Sequence, residues 1–428
     1  MSKRSVAFVL AVGFLTACGT PEWVQLESAR VFVGARIIDG TGGNPIDDGV
    51  LVVRDGRIEA VGTSAELTVP EGATLIDVAG KTIIPGLINT HGHVNGTLGL
   101  ETNHFTRENL LRQLRLYARY GVTTVNSLGG DQEVSAVIRD AQNTKDLRRS
   151  RLLIAGSVVS GSTPEAAHAM VEKNLALKAD FIKIRVDDGL GRGKKMTPEV
   201  YESVIDRAHQ AGLPVAAHLV YLEDAIGLAQ ADVDYIAHSI RDKVVDDGLI
   251  ALLKEKDITY CPTLMREVSV YAYESVPDFF EDPFFLKAVD PAVIEQLKNP
   301  ERMSRIKNSQ SAQWFKKHLS TAMENLRKLA DGGVTIAFGT DTGPPGRFQG
   351  YFEHMELSMM ASAGLSPMQI LSSATGNAAK AIGREDIGTL ESGKWADFLV
   401  LEEDPLLDIS NTRSIETVWI AGNKVGDE

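Results

Sequence analysis

An α/β fold is predicted for this 428-residue chain: a (β/α)8 barrel of the TIM type joined to a small β-sandwich formed by both chain ends. Three observations predict it. Through residues 81–383, short apolar runs alternate with amphipathic stretches, as repeated βα units on a parallel sheet require. Eight such runs can be counted, near 82–88, 122–127, 151–158, 181–186, 213–218, 234–238, 258–263 and 334–340. That is the number that closes a barrel. Residues 28–80 and 384–428 instead carry hairpin chemistry, and neither end holds enough strands to close a core alone. A chain of this length is long for one domain, so a barrel plus a smaller module is a reasonable division.

In chain order, the first element is a leader. Lys3 and Arg4 precede the apolar stretch Val6 to Leu15, which meets Leu15-Thr16-Ala17-Cys18. The stretch is too short to span a bilayer as a helix and has the layout of a secretory signal. Its small-residue site ending in Cys resembles a bacterial lipoprotein signal. That resemblance implies that residues 1–18 are a signal with Cys18 as the lipidated first residue of the mature chain. Gly19 after that Cys, with no Asp there, implies the outer membrane, facing the periplasm. Several acyl chains would anchor it durably where one would bind only marginally. An ordinary cleaved signal with an incidental Cys is the other reading.

The β-rich ends follow. Val50-Leu51-Val52-Val53 and Ile58-Glu59-Ala60-Val61 flank Asp55-Gly56, a dipeptide suited to the positive φ of a two-residue hairpin turn. The same texture returns in Asp397 to Leu401 and Thr417 to Gly422, so one sandwich drawing on both ends is the economical inference. Within the barrel region the gap before the last strand is the longest. Its span 265–310 includes Tyr271, Tyr273, Phe279, Phe280, Phe284 and Phe285. These form either a lid over the barrel mouth or a helical insertion with its own small core outside it.

The chemistry gathers at strand ends. His91-Gly92-His93 closes the run from Thr82 to Ile88, and residues i and i+2 of a strand point to one side, so both imidazoles can face one metal ion. Lys183, His218, His238 and Asp341 each lie at or near the C-terminal end of another apolar run. Four of the nine histidines fall at such ends, which a parallel barrel collects into one site. A lysine inside an apolar strand is costly unless neutralised, so burial should lower its pKa. The alternatives for Lys183 are reaching out to solvent or pairing with Asp187.

The order H-x-H, Lys, His, His, Asp resembles the amidohydrolase superfamily over nearly the whole chain after the leader. In its binuclear members the strand 4 lysine takes up CO2, and the carbamate bridges two divalent ions. By that resemblance His91, His93 and Asp341 would hold one metal and His218 and His238 the other, sharing carbamylated Lys183 and a hydroxide. Such ligands suit Zn2+, with manganese or iron not excluded. Lys183 and Asp341 are the expected catalytic residues, Asp341 as the group that passes a proton to the leaving amine.

Pro85 to His91, and Gly388 to Asp397, look like the imidazolonepropionase-like branch. Imidazolonepropionase uses one metal and lacks the strand 4 lysine, so Lys183 points to the Xaa-Pro and Xaa-Arg dipeptidases of that branch. Those proteins commonly carry Tyr directly after the strand 5 histidine. Here Leu219 stands there, with Tyr221 two residues on. Arg241 is a candidate carboxylate clamp, or a local partner of Asp242 or Asp246. His354 is a candidate contact for the leaving group, or a surface helix histidine.

The expected function is metal-dependent hydrolysis of a C–N amide bond by a bridging hydroxide, in a dipeptide or N-acyl amino acid. The alternatives are a mononuclear cyclic amide hydrolase or deaminase, a phosphoester or lactone hydrolase, and a non-catalytic ligand-binding lipoprotein. A net charge of -13 without a basic cluster excludes nucleic acid. The expected partner is a small molecule, with membrane contact only through the lipid anchor and with homo-oligomerisation left open. Cys261, the one cysteine besides Cys18, reads as a small buried hydrophobe.

Overall fold

The computed structural model describes residues 28–426, and the predicted leader with Cys18 lies outside the described residues. Strands β1 (Arg30–Ile37), β2 (Ile46–Arg54), β3 (Arg57–Thr63), β4 (Thr74–Asp77) and β5 (Thr82–Pro85) come first. Seven strands follow: β6 (Leu87–Gly92), β7 (Val122–Ser127), β8 (Arg151–Ile154), β9 (Ile182–Arg185), β10 (Val215–His218), β11 (Tyr235–Ala237) and β12 (Thr259–Cys261). The last are β13 (Phe398–Leu401), β14 (Ile415–Ile420) and β15 (Asn423–Lys424).

Both ends of the chain meet in one eight-stranded sheet, ordered β15-β14-β13-β5-β1-β2-β3, with β4 also paired to β1. Strand β1 splits its pairing along its length: Arg30 to Val33 run beside β4, and Arg36 and Ile37 beside β5. The β2–β3 turn is the one that Asp55-Gly56 predicts, with φ of 49° and 78° and Arg54 opposite Arg57. Phe32 from the first strand meets Phe398 and Trp419 from the last ones edge-on, each at 4.9 Å. Those contacts join segments far apart in the chain.

The middle of the chain is mixed α/β. Parallel strands form a three-stranded sheet, β6-β7-β8, and a four-stranded one, β12-β11-β10-β9. Helices separate them in sequence and lay an apolar stripe on the core. Pro198–Gln210, for example, starts at a Pro in its first turn and buries Val200, Tyr201, Val204, Ile205 and Ala208. Single parallel bridges link the sheets to each other and to the last segment: Val159 to Ile184, Tyr260 to Ile336, and Gly92 to Thr342.

Four predicted barrel strands differ. The run 82–88 divides at Gly86: β5 joins the eight-stranded sheet beside β1 and β13, and only β6 lies in the parallel region. The run 151–158 ends at Ile154 and 258–263 is only Thr259–Cys261. The eighth, 334–340, is not a continuous strand, although Ala337 N–H donates to the Tyr260 carbonyl and Thr90 N–H to that of Phe338. Close packing explains its irregularity. A Cβ on Gly339 would lie 2.6 Å from Cys261 Sγ and 2.9 Å from the His91 backbone nitrogen, and Asp341 then turns to a φ of 59°.

The span 265–310 is helical and packs its own aromatic core. Tyr273, Phe280 and Phe285 are buried with Tyr120, Tyr351 and Phe352, and Phe279 packs against them. The parallel-strand region and the eight-stranded sheet are riveted by a buried ion pair. Arg151 Nε and Asp397 Oδ2 are 2.6 Å apart, and the guanidinium of Arg151 also lies over the Trp395 ring.

Candidate metal centre

His91 sits at the end of β6 and His93 just past it, Lys183 within β9, His218 at the end of β10, and His238 directly after β11. Parallel register puts Lys183 beside Ala216 and His218 beside Ala237, so neighbouring strands deliver their polar residues at nearly one level. All six predicted metal-site residues line one cavity of about 350 Å³, together with Leu128, Val158, Ser160 and Arg185.

The imidazoles stand in a row. Ring centroids are 5.7 Å apart for His91 and His93, 4.5 Å for His91 and His238, and 4.3 Å for His218 and His238. Asp341 Oδ1 is 2.8 Å from His93 Nε2 and 3.9 Å from His91 Nε2. Donor atoms of His91, His93 and Asp341 fall within 4.8 Å of one another. Hydrogen bonds fix the rings from behind. His93 Nδ1–H donates to the Gly129 carbonyl at 3.0 Å, His238 Nδ1 meets Thr263 Oγ1 at 2.8 Å, and His218 Nε2 meets Asp187 Oδ2 at 3.1 Å. The other nitrogens of His218 and His238 are thereby left for a ligand.

Burial sets the charge state. It pushes Lys183 down to about 7, against the opposing pull of Asp341, and His218 down to about 3, against Asp187. His91 and His238 are likewise held well below the ordinary imidazole value by burial. Neutral imidazoles are the metal-binding form. For Asp341 burial works upward but is outweighed, first by Arg347 and then by His93, so its carboxylate stays ionised. Lys183 Nζ and His91 Nδ1 are buried without a hydrogen-bond partner. Buried polar atoms are rarely left so. Their isolation, amid four imidazoles and a carboxylate, suits a site that takes up a further group.

The amidohydrolase family model matches residues 82–425. The chain belongs to the amidohydrolase family. It is therefore a hydrolase acting on carbon–nitrogen bonds. The amidohydrolase is 24% identical over 395 residues to an imidazolonepropionase of Deinococcus deserti, covering 89% of this chain and 92% of that one. A Bifidobacterium longum protein assigned as a prolidase superposes with a TM-score of 0.74 at 26% identity, over 94% of this chain and 95% of the other. A Xaa-Pro dipeptidase with bound methionine superposes with a TM-score of 0.73 at 23% identity, over 93% and 99%. These folds imply a TIM-like barrel plus a β domain for the amidohydrolase.

The alternatives for Lys183 do not occur: it is 3% exposed, and Asp187 pairs instead with His218 and with Arg185 at 2.8 Å. The three predicted substrate contacts lie outside the metal cavity wall and hold protein partners. Arg241 is buried, donates to the Ser239 carbonyl and faces Glu267 at 3.1 Å, because its side chain packs inward beneath Phe315. Its suggested partners are otherwise engaged, Asp242 with Leu222 N–H and Asp246 as a helix cap. Tyr221 begins the helix Leu222–Gln230, where its hydroxyl donates to Asp188 outside the metal cavity, and Leu219 is buried. His354 is buried too. Its Nε2–H donates to the Tyr120 carbonyl and its Nδ1 meets Thr412, which leaves neither nitrogen for a leaving group. The six aromatics of 265–310 that a lid would use are absent from the cavity wall.

Sequence reading missed Thr263, Arg347 and Glu353. Arg347 binds Asp341 Oδ2 at 2.5 Å from the loop beyond it, and Glu353 accepts from Asn89, Thr340 and Thr342 around the two metal-facing segments. Thr263 closes the predicted run 258–263, a signal that could have found it, whereas Arg347 and Glu353 lie on no strand-end pattern. Only the run of Thr340, Asp341 and Thr342 hinted at a buried polar network.

Proposed function

We propose that this amidohydrolase is a binuclear enzyme that hydrolyses the C–N amide bond of a dipeptide or N-acyl amino acid. The observation that carries the reading is Lys183 Nζ, buried and unpartnered on the wall shared by His91, His93, His218, His238 and Asp341. A neutral amine there can add to CO2, forming an N–C bond and releasing one proton, which turns an unusable donor into a bidentate anion. His91, His93 and Asp341 would then hold one divalent ion, His218 and His238 the other, with carbamylated Lys183 between them. Imidazole and carboxylate donors favour Zn2+. When bound, the ions supply Lewis-acid polarisation of the carbonyl and a water of lowered pKa.

The chain's residues do the rest. Asp341, ionised, accepts the proton of the attacking water at a carboxylate oxygen and returns it to the leaving nitrogen. Arg347 keeps that carboxylate charged and fixed. Thr263, Asp187 and the Gly129 carbonyl set the imidazole tautomers. The seven strands β6 to β12 and the segment 334–340 are read as one closed barrel within 81–383, and 28–80 and 384–428, together with β5, as the β domain.

A mononuclear cyclic amide hydrolase is the second reading, favoured by the three-donor cluster of His91, His93 and Asp341 and by the imidazolonepropionase relative. Metal content decides between them. The mature protein without Cys18, produced with zinc and bicarbonate, is compared with Lys183→Ala. Two ions per chain falling to one or none support the binuclear enzyme; one ion in both supports the mononuclear one.

The leader supports export and lipid anchoring at Cys18, at the outer membrane facing the periplasm. Among the described residues no helix is long and apolar enough to cross a membrane.

A further inference from the structure

We infer that Glu356 is a positioning residue for His238, acting through the backbone of residues 263–265 and the hydroxyl of Thr263. Glu356 lies in the helix Tyr351–Ser362 and is fully buried. Its two oxygens are spent on backbone: Oε1 accepts from Leu264 N–H at 2.8 Å and Oε2 from Met265 N–H at 2.5 Å. These donors open the helix Leu264–Ser269, whose first N–H groups have no partner within the helix. A buried carboxylate is costly unless hydrogen-bonded, so both sides of the contact need each other.

The clamped segment carries strain. Thr263, immediately before the two donors, has a φ of 44° and ψ of 50°. A β-branched residue rarely adopts that conformation unless its surroundings impose it. There it places Oγ1 2.8 Å from His238 Nδ1. His238 itself has a φ of 127°, and its neighbour Ser239 donates to the Pro262 carbonyl at 2.5 Å. The two strand ends are thus zipped together, and Glu356 holds the far side of the zip. Freed of that hold, Thr263 relaxes from the left-handed region and its hydroxyl leaves Nδ1. His238 then loses the contact that selects its tautomer and aims Nε2 at the cavity.

The inference rests on reading His238 as a metal ligand, so the test separates the two. Apo protein is titrated with Co2+ in bicarbonate, following the visible d–d bands and the dissociation constants, for wild type, Glu356→Gln, Thr263→Val, Thr263→Ser and His238→Ala. The expected result is weaker binding of one cobalt ion, by about 10- to 100-fold, in Glu356→Gln and Thr263→Val, with altered d–d bands. Thr263→Ser, which keeps the hydroxyl, returns wild-type binding. A folded Glu356→Gln, or a Thr263→Val, with wild-type cobalt constants and spectrum overturns the inference. Thr263→Val decides alone if Glu356→Gln does not fold. If His238→Ala also binds cobalt as wild type does, the ligand reading itself fails. If His238→Ala loses an ion while the other variants do not, only the positioning role falls.

Discussion

Nε2 of His93 and Oδ1 of Asp341 stand 2.8 Å apart, although 248 positions separate them in the chain. The contact ties the end of β6 to the irregular segment after Phe338 and gathers two donors of the His91, His93 and Asp341 cluster that could hold an ion. Asp341 spends its second oxygen on Arg347. A carboxylate held this way is kept both oriented and ionised.

Asp341→Asn keeps that shape but cannot take up a proton. The expected outcome is a fall in kcat of about 10²- to 10⁴-fold with a cooperative thermal transition retained. Steady-state kinetics on a hydrolysed dipeptide or N-acyl amino acid, with circular dichroism melting, checks it. Near-normal kcat would remove Asp341 from proton transfer.

The Arg151–Asp397 pair predicts an asymmetry in stability. Asp397→Ala leaves a buried guanidinium unpaired and the Ala421 N–H without its acceptor. Its cost should be about 3–5 kcal/mol, whereas Arg151→Met with Asp397→Leu should cost much less. Urea unfolding of the three proteins measures both. Equal losses would mean that the ion pair does not hold the β domain to the parallel strands.

His354 gives the pH dependence. Burial pushes its pKa from 6.5 down to about 3, with the Tyr120 carbonyl pulling the other way. The unfolded chain therefore binds more protons than the folded one between those values, and stability falls as pH drops from about 6.5 towards 3. His354→Gln, which cannot titrate, should be less stable at pH 8 yet show a shallower fall in Tm between pH 7 and pH 5. An unchanged slope would assign the acid sensitivity to other groups.

If Cys18 carries the proposed lipid anchor, Cys18→Ser should abolish incorporation of labelled fatty acid and leave the chain out of the outer-membrane fraction. Labelling that persists in the variant would remove Cys18 as the lipidated residue.

Much of the site was legible because its code is local. His91 and His93 obey the two-residue period of a strand, and Lys183, His218 and His238 each close an apolar run, so a parallel arrangement sufficed to bring them to one cavity. The eighth strand was less legible: the apolar run Val334 to Phe338 is real, but contact with Cys261 and His91 at Gly339 bends it away from regular pairing. The surroundings of Arg241, Tyr221 and His354 were illegible for a related reason. Each lies near a strand end or follows one, yet proximity in sequence says nothing about which way a side chain packs.

The sequence by itself determined the alternation of strands and helices, the division into a central region and β-rich ends, and the types of donor atom available to a metal. Periodicity and residue chemistry act over a few positions and need no knowledge of distant neighbours. Only the tertiary structure decided who meets whom: Asp187 with His218 rather than Lys183, Arg241 with Glu267, Glu356 with the backbone before which Thr263 turns. Those choices depend on burial. A charge withdrawn from water must find its partner among whatever groups packing brings within reach, and those groups come from all parts of the chain.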